Sequence, residues 1–482
     1  MIFKTITYAV PAVFTAAAAF AIPATPEGAQ QMTEVLQAYF GATDGVVSVS
    51  PAGEAYSLTI DAAPLLALAP AELAGTTMSP MVMQVTDNGD GTWAVTQDQA
   101  FAFAMTLPGI ADISLDIARM WGTGVFDQEL KAYVSSHSEF TGMAITEQLT
   151  QPGQPPMDVT ISLASGLIDA TAQANPAGGV DSTSTMTMTG LAQTISMPPM
   201  GEGMPPVDVS ITAQSYVTTG NVTGFRIGGL LDLMQWAIAH PTAEAAEADK
   251  AGLKVLVQAV LPVFDTLAGA GTITNVSVTT PFGAVGIAEV VTEIEAHGVT
   301  SDGLFREAIT LSGLTLPDGL LPPWAVPLLP TDFSIDVAVS GYDLAAPAML
   351  LLPLFDLPTG TGPDQAMQDQ ALAALLPDGA VEITLAPGSV TGNGYELTYQ
   401  GAMTAGPAAM PTGSATVTLT GAGAISAALA AAPAEVKGQA LPGFAMAQGM
   451  AKPDENGALV WEIDATRPGT LMINGMDMMG GQ

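Results

Sequence analysis

"MVMQVTDNGDGTWAVTQ", residues 81–97, is the stretch that best reveals how this chain folds. Apolar and polar residues alternate on both sides of residues 88–91, and a period of two places the apolar side chains on one face of a β-strand. The intervening Asn-Gly-Asp-Gly tolerates the positive φ angles that tight hairpin turns require. The stretch therefore predicts two antiparallel strands joined by a short turn at residues 88–91.

The same alternation dominates the chain as far as about residue 225 and resumes at residue 272. "AFAFAMTL" (100–107) and "MDVTISLASG" (157–166) each place three apolar residues on one face. These residues are Phe101, Phe103 and Met105 in the first segment, and Met157, Val159 and Ile161 in the second. Both segments are predicted to be half-buried strands.

A short internal echo links two of these segments. "PPMDVTI" at 155–161 returns as "PPVDVSI" at 205–211. Two copies can mark a supersecondary repeat, or they can be two strands that each begin after proline, whose fixed φ and missing donor suit a strand's entrance. We favour two strand entrances.

Three segments have helical rather than strand-like patterns. In "TPEGAQQMTEVLQAYFGA", Thr25 is a candidate cap, Pro26 suits the first turn and Gly41 ends the segment. Residues 228–268 are predicted to be helical, with a second cap at Thr242 and a kink or break at Pro262. The last predicted helix is "DQAMQDQALAALLP", residues 364–377. The apolar face of the first helix comprises Met32, Val35, Leu36, Tyr39 and Phe40.

A proline-rich segment precedes one of the later strands. In "LPPWAVPLLPTDFSIDVAVSGYDL" (321–344), the run from 333 to 340 alternates strictly, which predicts a half-buried strand. Its apolar side is predicted to hold Phe333, Ile335, Val337 and Val339. The lead-in is predicted to be an extended connector laid over the sheet's edge or end, with Trp324 as its anchor.

Taken together, these patterns predict an α+β, β-rich fold. We expect one or more extended, curved and largely antiparallel sheets, with an N-terminal helix and helical insertions in the middle and near the C-terminus. The predicted division is a signal peptide at 1–21, an N-terminal helix plus β-rich half at 22–226, and a helical insertion plus β-rich C-terminal half at 227–482.

The N-terminus predicts export from the cytoplasm. Lys4 supplies a positive charge, "ITYAVPAVFTAAAAF" is weakly apolar, and Ala19-Phe20-Ala21 forms a small-x-small cleavage site. We therefore expect a periplasmic or secreted bacterial protein with no transmembrane segment after signal cleavage. The chain has no cysteine, which excludes disulfides, zinc thiolate sites and cysteine nucleophiles.

The charge balance is strongly acidic. The chain has 46 acidic and 10 basic residues, a net charge of -36. Such a field repels nucleic acid and anionic membrane surfaces, because both are bound through clustered Lys and Arg. Nucleic acid is therefore excluded as a partner.

Catalytic and cofactor motifs are absent from the sequence. Gly-x-Ser-x-Gly and the Gly-Lys pair of a phosphate loop do not occur. His137, His240 and His297 lack metal-ligand spacing, and "DNGDG" at 87–91 fits a hairpin turn better than a calcium loop. We therefore predict a non-enzymatic protein with no catalytic residues, no cofactor and no metal site.

Two segments resemble a known protein family. "NGDGTWAVTQDQAFAFAMTLPG" (88–109) and "GFAMAQGMAKPDENGALVWEIDATRPGTLMINGMDM" (443–478) resemble the secreted alphaproteobacterial family called domain of unknown function 2125. The resemblance implies a periplasmic protein with a signal peptide, one helix and many strands, akin in build to the long β-sheet envelope proteins that shelter lipids. It brings no catalytic residues.

Two functions are compatible with these features. The first is a binding or envelope-maintenance protein whose apolar groove, lined by Met, Leu and Phe, holds a lipid or another apolar ligand; the apolar segment "AAPAMLLLPLFDL" (345–357) favours it. The alternative is a structural or adhesive acidic β-protein without an enclosed ligand, responsive to calcium. The sequence assigns no ligand-binding residue in either case.

Overall fold

The computed structural model describes residues 24–68, 75–150, 155–199, 206–356, 362–407 and 409–478. The predicted signal peptide lies outside these residues. The described chain is β-rich and antiparallel, with one helix at the N-terminus and others in the middle and near the C-terminus, which confirms the predicted fold class.

The elements up to residue 260 are dominated by long strands. They are α1 (Pro26–Phe40), β1 (Val47–Ala52), β2 (Ala55–Ile60), α2 (Ala63–Leu66), β3 (Thr77–Met78), β4 (Met81–Asp87), β5 (Thr92–Leu107), β6 (Ala111–Asp127), β7 (Ala132–Leu149), β8 (Met157–Ala174), β9 (Val180–Met197), β10 (Val207–Phe225), α3 (Ile227–Ala239), α4 (Ala243–Ala248) and α5 (Lys250–Val260).

Strands and helices continue from residue 266. They are β11 (Thr266–Thr280), β12 (Gly283–His297), β13 (Gly303–Ser312), a 3-10 helix (Val326–Leu328), β14 (Pro330–Tyr342), α6 (Ala345–Leu351), a 3-10 helix (Leu352–Asp356), α7 (Gln365–Leu375), β15 (Val381–Gly392), β16 (Tyr395–Gly406), β17 (Ala409–Thr420), α8 (Ala422–Ala431), α9 (Ala434–Met450), β18 (Lys452–Pro453), β19 (Leu459–Asp464), β20 (Met472–Ile473) and β21 (Met476–Asp477).

These elements form two compact units. The N-terminal unit holds the residues up to Leu267 together with Leu352–Gly362, and the C-terminal unit holds Ala268–Leu351 and the residues from Pro363 on. Helices α3 to α5 therefore belong to the N-terminal unit. The domain boundary at residues 226/227 stays a prediction, because a compact unit need not fold alone.

The N-terminal unit contains an antiparallel sheet in the order β1, β2, β4, β5, β6, β7, β8, β9, β10. The short β3 pairs with β5 beside β4. The opening hairpin is confirmed: Asp87 of β4 pairs with Trp93 of β5, and the Asn88 N–H donates to the Thr92 carbonyl at 3.1 Å. We call this sheet the N-terminal sheet.

The two copies of the repeated sequence, 155–161 and 205–211, lie at the starts of the two strands that flank β9. Pro156 precedes β8 and Pro206 precedes β10, so both copies are strand entrances, as predicted. Asp158 and Asp208 both lie directly opposite Ser196 of β9. The two copies are therefore in register on either side of one strand.

Helix α1 provides the main hydrophobic core. The Thr25 side chain accepts a hydrogen bond from the Gly28 N–H at 3.1 Å, Pro26 occupies the first turn and Gly41 caps the C-terminus, all as predicted. Leu36 is fully buried, with 0% of its side chain exposed. The buried cluster comprises Ala29, Met32, Leu36, Val46, Val47, Tyr56, Leu58, Met83, Val85, Trp93, Val95 and Phe126.

The middle helices are shorter than predicted. Thr242 caps α4 by accepting from the Ala245 N–H at 3.1 Å. Helix α5 ends at Val260, directly before the Leu261-Pro262 pair, because a proline ring cannot continue a helix. The prediction of helix to residue 268 was wrong: β11 begins at Thr266.

The strands of the C-terminal unit also pair antiparallel, and we call this part of the structure the C-terminal sheet. Its order is β12, β13, β14, β15, β16, β17, β19, with β18 paired to β19 and the short β20 and β21 following. Helix α7 begins at the Asp364 cap and confirms the predicted helix at 364–377. Helix α8 packs on α9, on β16 and on the 3-10 helix Val326–Leu328.

Two predictions for this unit were wrong. The lead-in at 321–329 is not extended: a turn followed by the 3-10 helix precedes β14, because the proline φ near −65° suits turns and 3-10 helices as well as strands. The predicted anchor, Trp324, is only half-buried in that turn. Helices α8 and α9 were also missed, since α9 contains Pro442, which argues against a helix.

Candidate functional site

The pairing register of β5 to β10 gathers apolar side chains on one face of the N-terminal sheet. One set of directly opposed residues runs from Phe103 through Leu115 and Ile145 to Ile161. We call this surface the apolar face of the N-terminal sheet. It comprises Phe101, Phe103, Met105, Ile113, Leu115, Ile117, Met143, Ile145, Met157, Val159, Ile161, Leu163, Leu191, Ile195, Val207, Val209 and Ile211.

The alternation in the sequence predicted that three of these residues share a face in β5 and that three others share a face in β8, but it did not relate the two strands. The structure places Phe101, Phe103 and Met105 on the same face as Met157, Val159 and Ile161. The β8 residues Val159 and Ile161 are buried, whereas Phe101 and Phe103 are half-buried. Among the described helices, α1 packs on β1 and α3 packs on α1 and α5, and none makes an extended contact with β6 to β10.

Two glycines keep the apolar face continuous along the strands. Gly142 of β7 and Gly190 of β9 have positive φ angles of 63° and 64°. The strand pairing skips one residue on each strand at these positions. Gly142 is skipped together with Ala118 of β6, and Gly190 together with Ala164 of β8. A Cβ atom on Gly142 would lie 3.0 Å from the Ala118 Cβ, and one on Gly190 would lie 2.8 Å from the Ala164 Cβ. The extra residue shifts the alternation by one, so Met120 and Phe140, beyond the step, lie on the same face as Ile117 and Met143.

The opposite face of the same sheet carries ion pairs. Arg119 of β6 donates through Nε and a terminal nitrogen to both carboxylate oxygens of Asp98, at 2.7 and 2.8 Å. This bidentate pair lowers the pKa of Asp98 and raises the pKa of Arg119. Both side chains are more than half exposed, so the pair contributes little to stability.

His137 of β7 lies on this polar face between two carboxylates. Its Nδ1 is 2.7 Å from Asp169 Oδ1, its Nε2 is 3.3 Å from Glu139 Oε1, and its ring packs edge-on to Trp121. The hydrogen bond to Asp169, followed by that to Glu139, raises the pKa of His137. His240 and His297 lie on other elements, at the end of α3 and of β12.

Glu147 of β7 is an exception to this separation of faces. It lies opposite Ile113 and Val159, on the apolar face, whereas the other charged residues within β5 to β10 lie on the polar face. Its side chain forms no hydrogen bond or ion pair within the described part of the chain, and the residue is half-buried. The sequence carries the signal, because Glu147 occupies an apolar position of the alternation between Ile145 and Leu149, but it was not singled out.

The C-terminal sheet also has one apolar face and one polar face. The predicted apolar side of β14 is confirmed, and Phe333 lies between Leu311 of β13 and Val390 of β15. The row continues through Leu397 of β16, on which α8 packs, to Leu419 of β17. Toward the other end of the same face, Ile294, Phe305 and Met403 are 40%, 41% and 38% exposed.

The polar side of the C-terminal sheet has its own charge network. Arg306 donates to Asp336 at 2.7 Å and to Glu293 at 2.9 Å, which raises the pKa of Arg306. A shallow groove of about 380 Å³ lies on this sheet, with Glu462, Asp464 and Arg467 in its lining. This groove is open to solvent and has charged side chains in its lining, whereas apolar ligands are usually held in enclosed, mainly hydrophobic pockets.

No metal or membrane-spanning element was found in the described ranges. They contain no group of three or more His, Asp or Glu side chains placed to hold a metal ion. None of the described helices combines the length and apolarity needed to cross a lipid bilayer.

Comparison with known proteins gave no match. No protein-family model, no curated protein and no solved structure matches this chain. The resemblance to domain of unknown function 2125 therefore stays a prediction.

Proposed function

We propose that this chain is a non-enzymatic, periplasmic or secreted binding protein that holds a lipid-like ligand on the apolar face of the N-terminal sheet. The observation that carries the proposal is the continuity of that face across six strands, with half-buried residues such as Phe101 and Phe103. A partly exposed, contiguous apolar surface across several strands is typical of an interaction site. The signal-peptide pattern at residues 1–21 supports the location.

The size of the hydrophobic effect supports a chain-like ligand. Each methylene that leaves water contributes about 0.8 kcal/mol, so a twelve-carbon chain gains up to roughly 10 kcal/mol before the entropy cost of binding. Strands β6 to β10 are 17 to 19 residues long. At about 3.3 Å per residue, the face is long enough for an extended acyl chain.

The net charge limits the candidate partners. At -36, the chain repels anionic surfaces and a second copy of itself at low ionic strength. An uncharged, zwitterionic or cationic amphiphile meets no such barrier. The ligand we propose is therefore an amphiphile and not a second copy of this chain.

Site-specific photocross-linking tests the proposal. Phe103 of β5 lies on the apolar face, whereas Trp121 of β6 lies on the polar face opposite Asp98. Replacing either aromatic residue with p-benzoylphenylalanine conserves its bulk. We expect a clickable fatty alcohol to be cross-linked from position 103 and not from position 121.

Native mass spectrometry of the protein purified from a periplasmic extract provides an independent measurement. We expect a co-purifying lipid whose mass is lost after organic extraction. Equal labelling at the two positions, or no labelling together with no bound lipid, would contradict a ligand on the apolar face.

A further inference from the structure

Glu147 places a carboxylate within the apolar face of the N-terminal sheet. It lies directly opposite Ile113 of β6 and Val159 of β8, and Ile145 and Leu149 flank it on its own strand. Directly opposed Cβ atoms in antiparallel strands are about 4.5–5.5 Å apart. Apolar side chains therefore surround the carboxylate on all four sides within the sheet.

This position is unfavourable for an unpaired charge. A half-buried carboxylate loses part of its hydration, and that loss is recovered only through a partner. Within the described residues, Glu147 accepts no hydrogen bond and has no cationic neighbour in ion-pair contact. A cation supplied from outside the chain would be the missing partner.

The C-terminal sheet repeats this pattern. Glu307 of β13 lies on its apolar face between Ile294 of β12 and Val337 of β14. The other charged residues within β12 to β17 and β19 lie on the polar face, as Arg306 and Asp336 do. Each apolar face thus carries one carboxylate.

We propose, resting on the proposed function, that Glu147 receives the primary ammonium head of an amphiphile whose alkyl chain lies along the apolar face. An ammonium group donates up to three hydrogen bonds, and Glu147 has two free acceptor oxygens. The net charge of -36 adds a long-range attraction for a cationic head and a repulsion for an anionic one. The ligand class is therefore a lipid with an amine head group.

Competition between three C12 amphiphiles tests this assignment. Dodecylamine, dodecanol and dodecanoate, each below its micelle concentration, would displace the neutral dye N-phenyl-1-naphthylamine from the full mature chain. We expect dodecylamine to bind about tenfold more tightly than dodecanol, the ratio of one partly exposed charge-assisted hydrogen bond. Glu147→Gln should remove most of this preference, leaving only the part that the net charge maintains, and should leave dodecanol binding unchanged.

A matched variant separates local recognition from general charge. Asp112 lies on the polar face of the adjacent strand β6, is exposed and has no partner within the described residues, so Asp112→Asn removes the same charge from the other side. We expect Asp112→Asn to retain the preference for dodecylamine. Glu147→Lys should reverse the preference toward dodecanoate.

The possible failures are distinguishable. If none of the three amphiphiles displaces the dye, the proposed function fails. If dodecanol binds but dodecylamine binds no better, or if Glu147→Gln and Asp112→Asn weaken dodecylamine equally, only the assignment of Glu147 fails. A preference for dodecylamine over dodecanol that survives Glu147→Lys also overturns it.

Discussion

Gly190→Ala should destabilise the N-terminal sheet by roughly 2–5 kcal/mol. Gly190 has a φ of 64°, and an L-residue in this left-handed region costs about 1–2 kcal/mol. The new Cβ would also lie 2.8 Å from the Ala164 Cβ, closer than side-chain atoms approach. Overpacking of this kind costs about 1–3 kcal/mol more, because the paired strands must separate locally.

Two controls isolate the contact from the backbone strain. Gly53 has a φ of 73° with nothing within 4 Å of its Cβ position, so Gly53→Ala should cost only the backbone term of about 1–2 kcal/mol. Both substitutions restrict the unfolded chain equally, so that effect cancels in the difference. Adding Ala164→Gly to Gly190→Ala should recover the contact term, which a double-mutant cycle measures.

Urea unfolding followed by far-ultraviolet circular dichroism is the assay. We expect the urea midpoint to fall from the wild type to Gly53→Ala and to fall further in Gly190→Ala. The double variant Gly190→Ala/Ala164→Gly should have a midpoint closer to that of Gly53→Ala. If Gly190→Ala unfolds no more easily than Gly53→Ala, the close Gly190 to Ala164 approach is refuted, and with it the step that keeps the apolar face continuous.

Three further predictions follow from the core, the first helix cap and the polar face. Leu36→Ala should lower the free energy of unfolding by about 2–5 kcal/mol, whereas Leu68→Ala, at a side chain 74% exposed, should change it by less than about 0.5 kcal/mol; equal urea midpoints for the two would disprove the core position of Leu36. Thr25→Ala should cost about 0.5–2 kcal/mol in the same assay, through loss of the bond from the Gly28 N–H, and Thr25→Ser should retain most of it. The His137 imidazole should titrate above the ordinary pKa of 6.5 in an NMR pH series, and Asp169→Asn should lower that pKa. Because the folded pKa is raised, the stabilisation from His137 is fully present below pH 6.5 and is lost as the pH rises through the folded pKa; a midpoint below 6.5, or no response to Asp169→Asn, would contradict the bond.

The predicted elements succeeded where local chemistry determines the backbone. The Thr25 cap, Pro26 and Gly41 mark α1 through groups within a few residues of each helix end, and the structure has the helix there. The hairpin at residues 88–91 is local for the same reason. In both cases the determining contacts are short in sequence, so the sequence displays them.

The missed elements depend on contacts that are distant in sequence. Helix α9 contains Pro442, and neither α8 nor α9 has a marked apolar stripe, so the usual helical period is absent. Helix α8 nevertheless packs on α9, on β16 and on the 3-10 helix Val326–Leu328. Packing of this kind outweighs weak local preference, and no window of sequence contains it.

The candidate site divides along the same line. By itself the sequence determined the acidic charge, the absence of cysteine, the alternating strands and the apolar side of each strand, because composition and a period of two are properties of single segments. Only the tertiary structure decided which strands pair and which of their sides share one face of the sheet. The register joins six strands into one apolar face, Gly142 and Gly190 keep it continuous, and the same register leaves Glu147 among apolar neighbours. Pairing joins residues on different strands, and a change of one residue in register would turn each side chain to the other face.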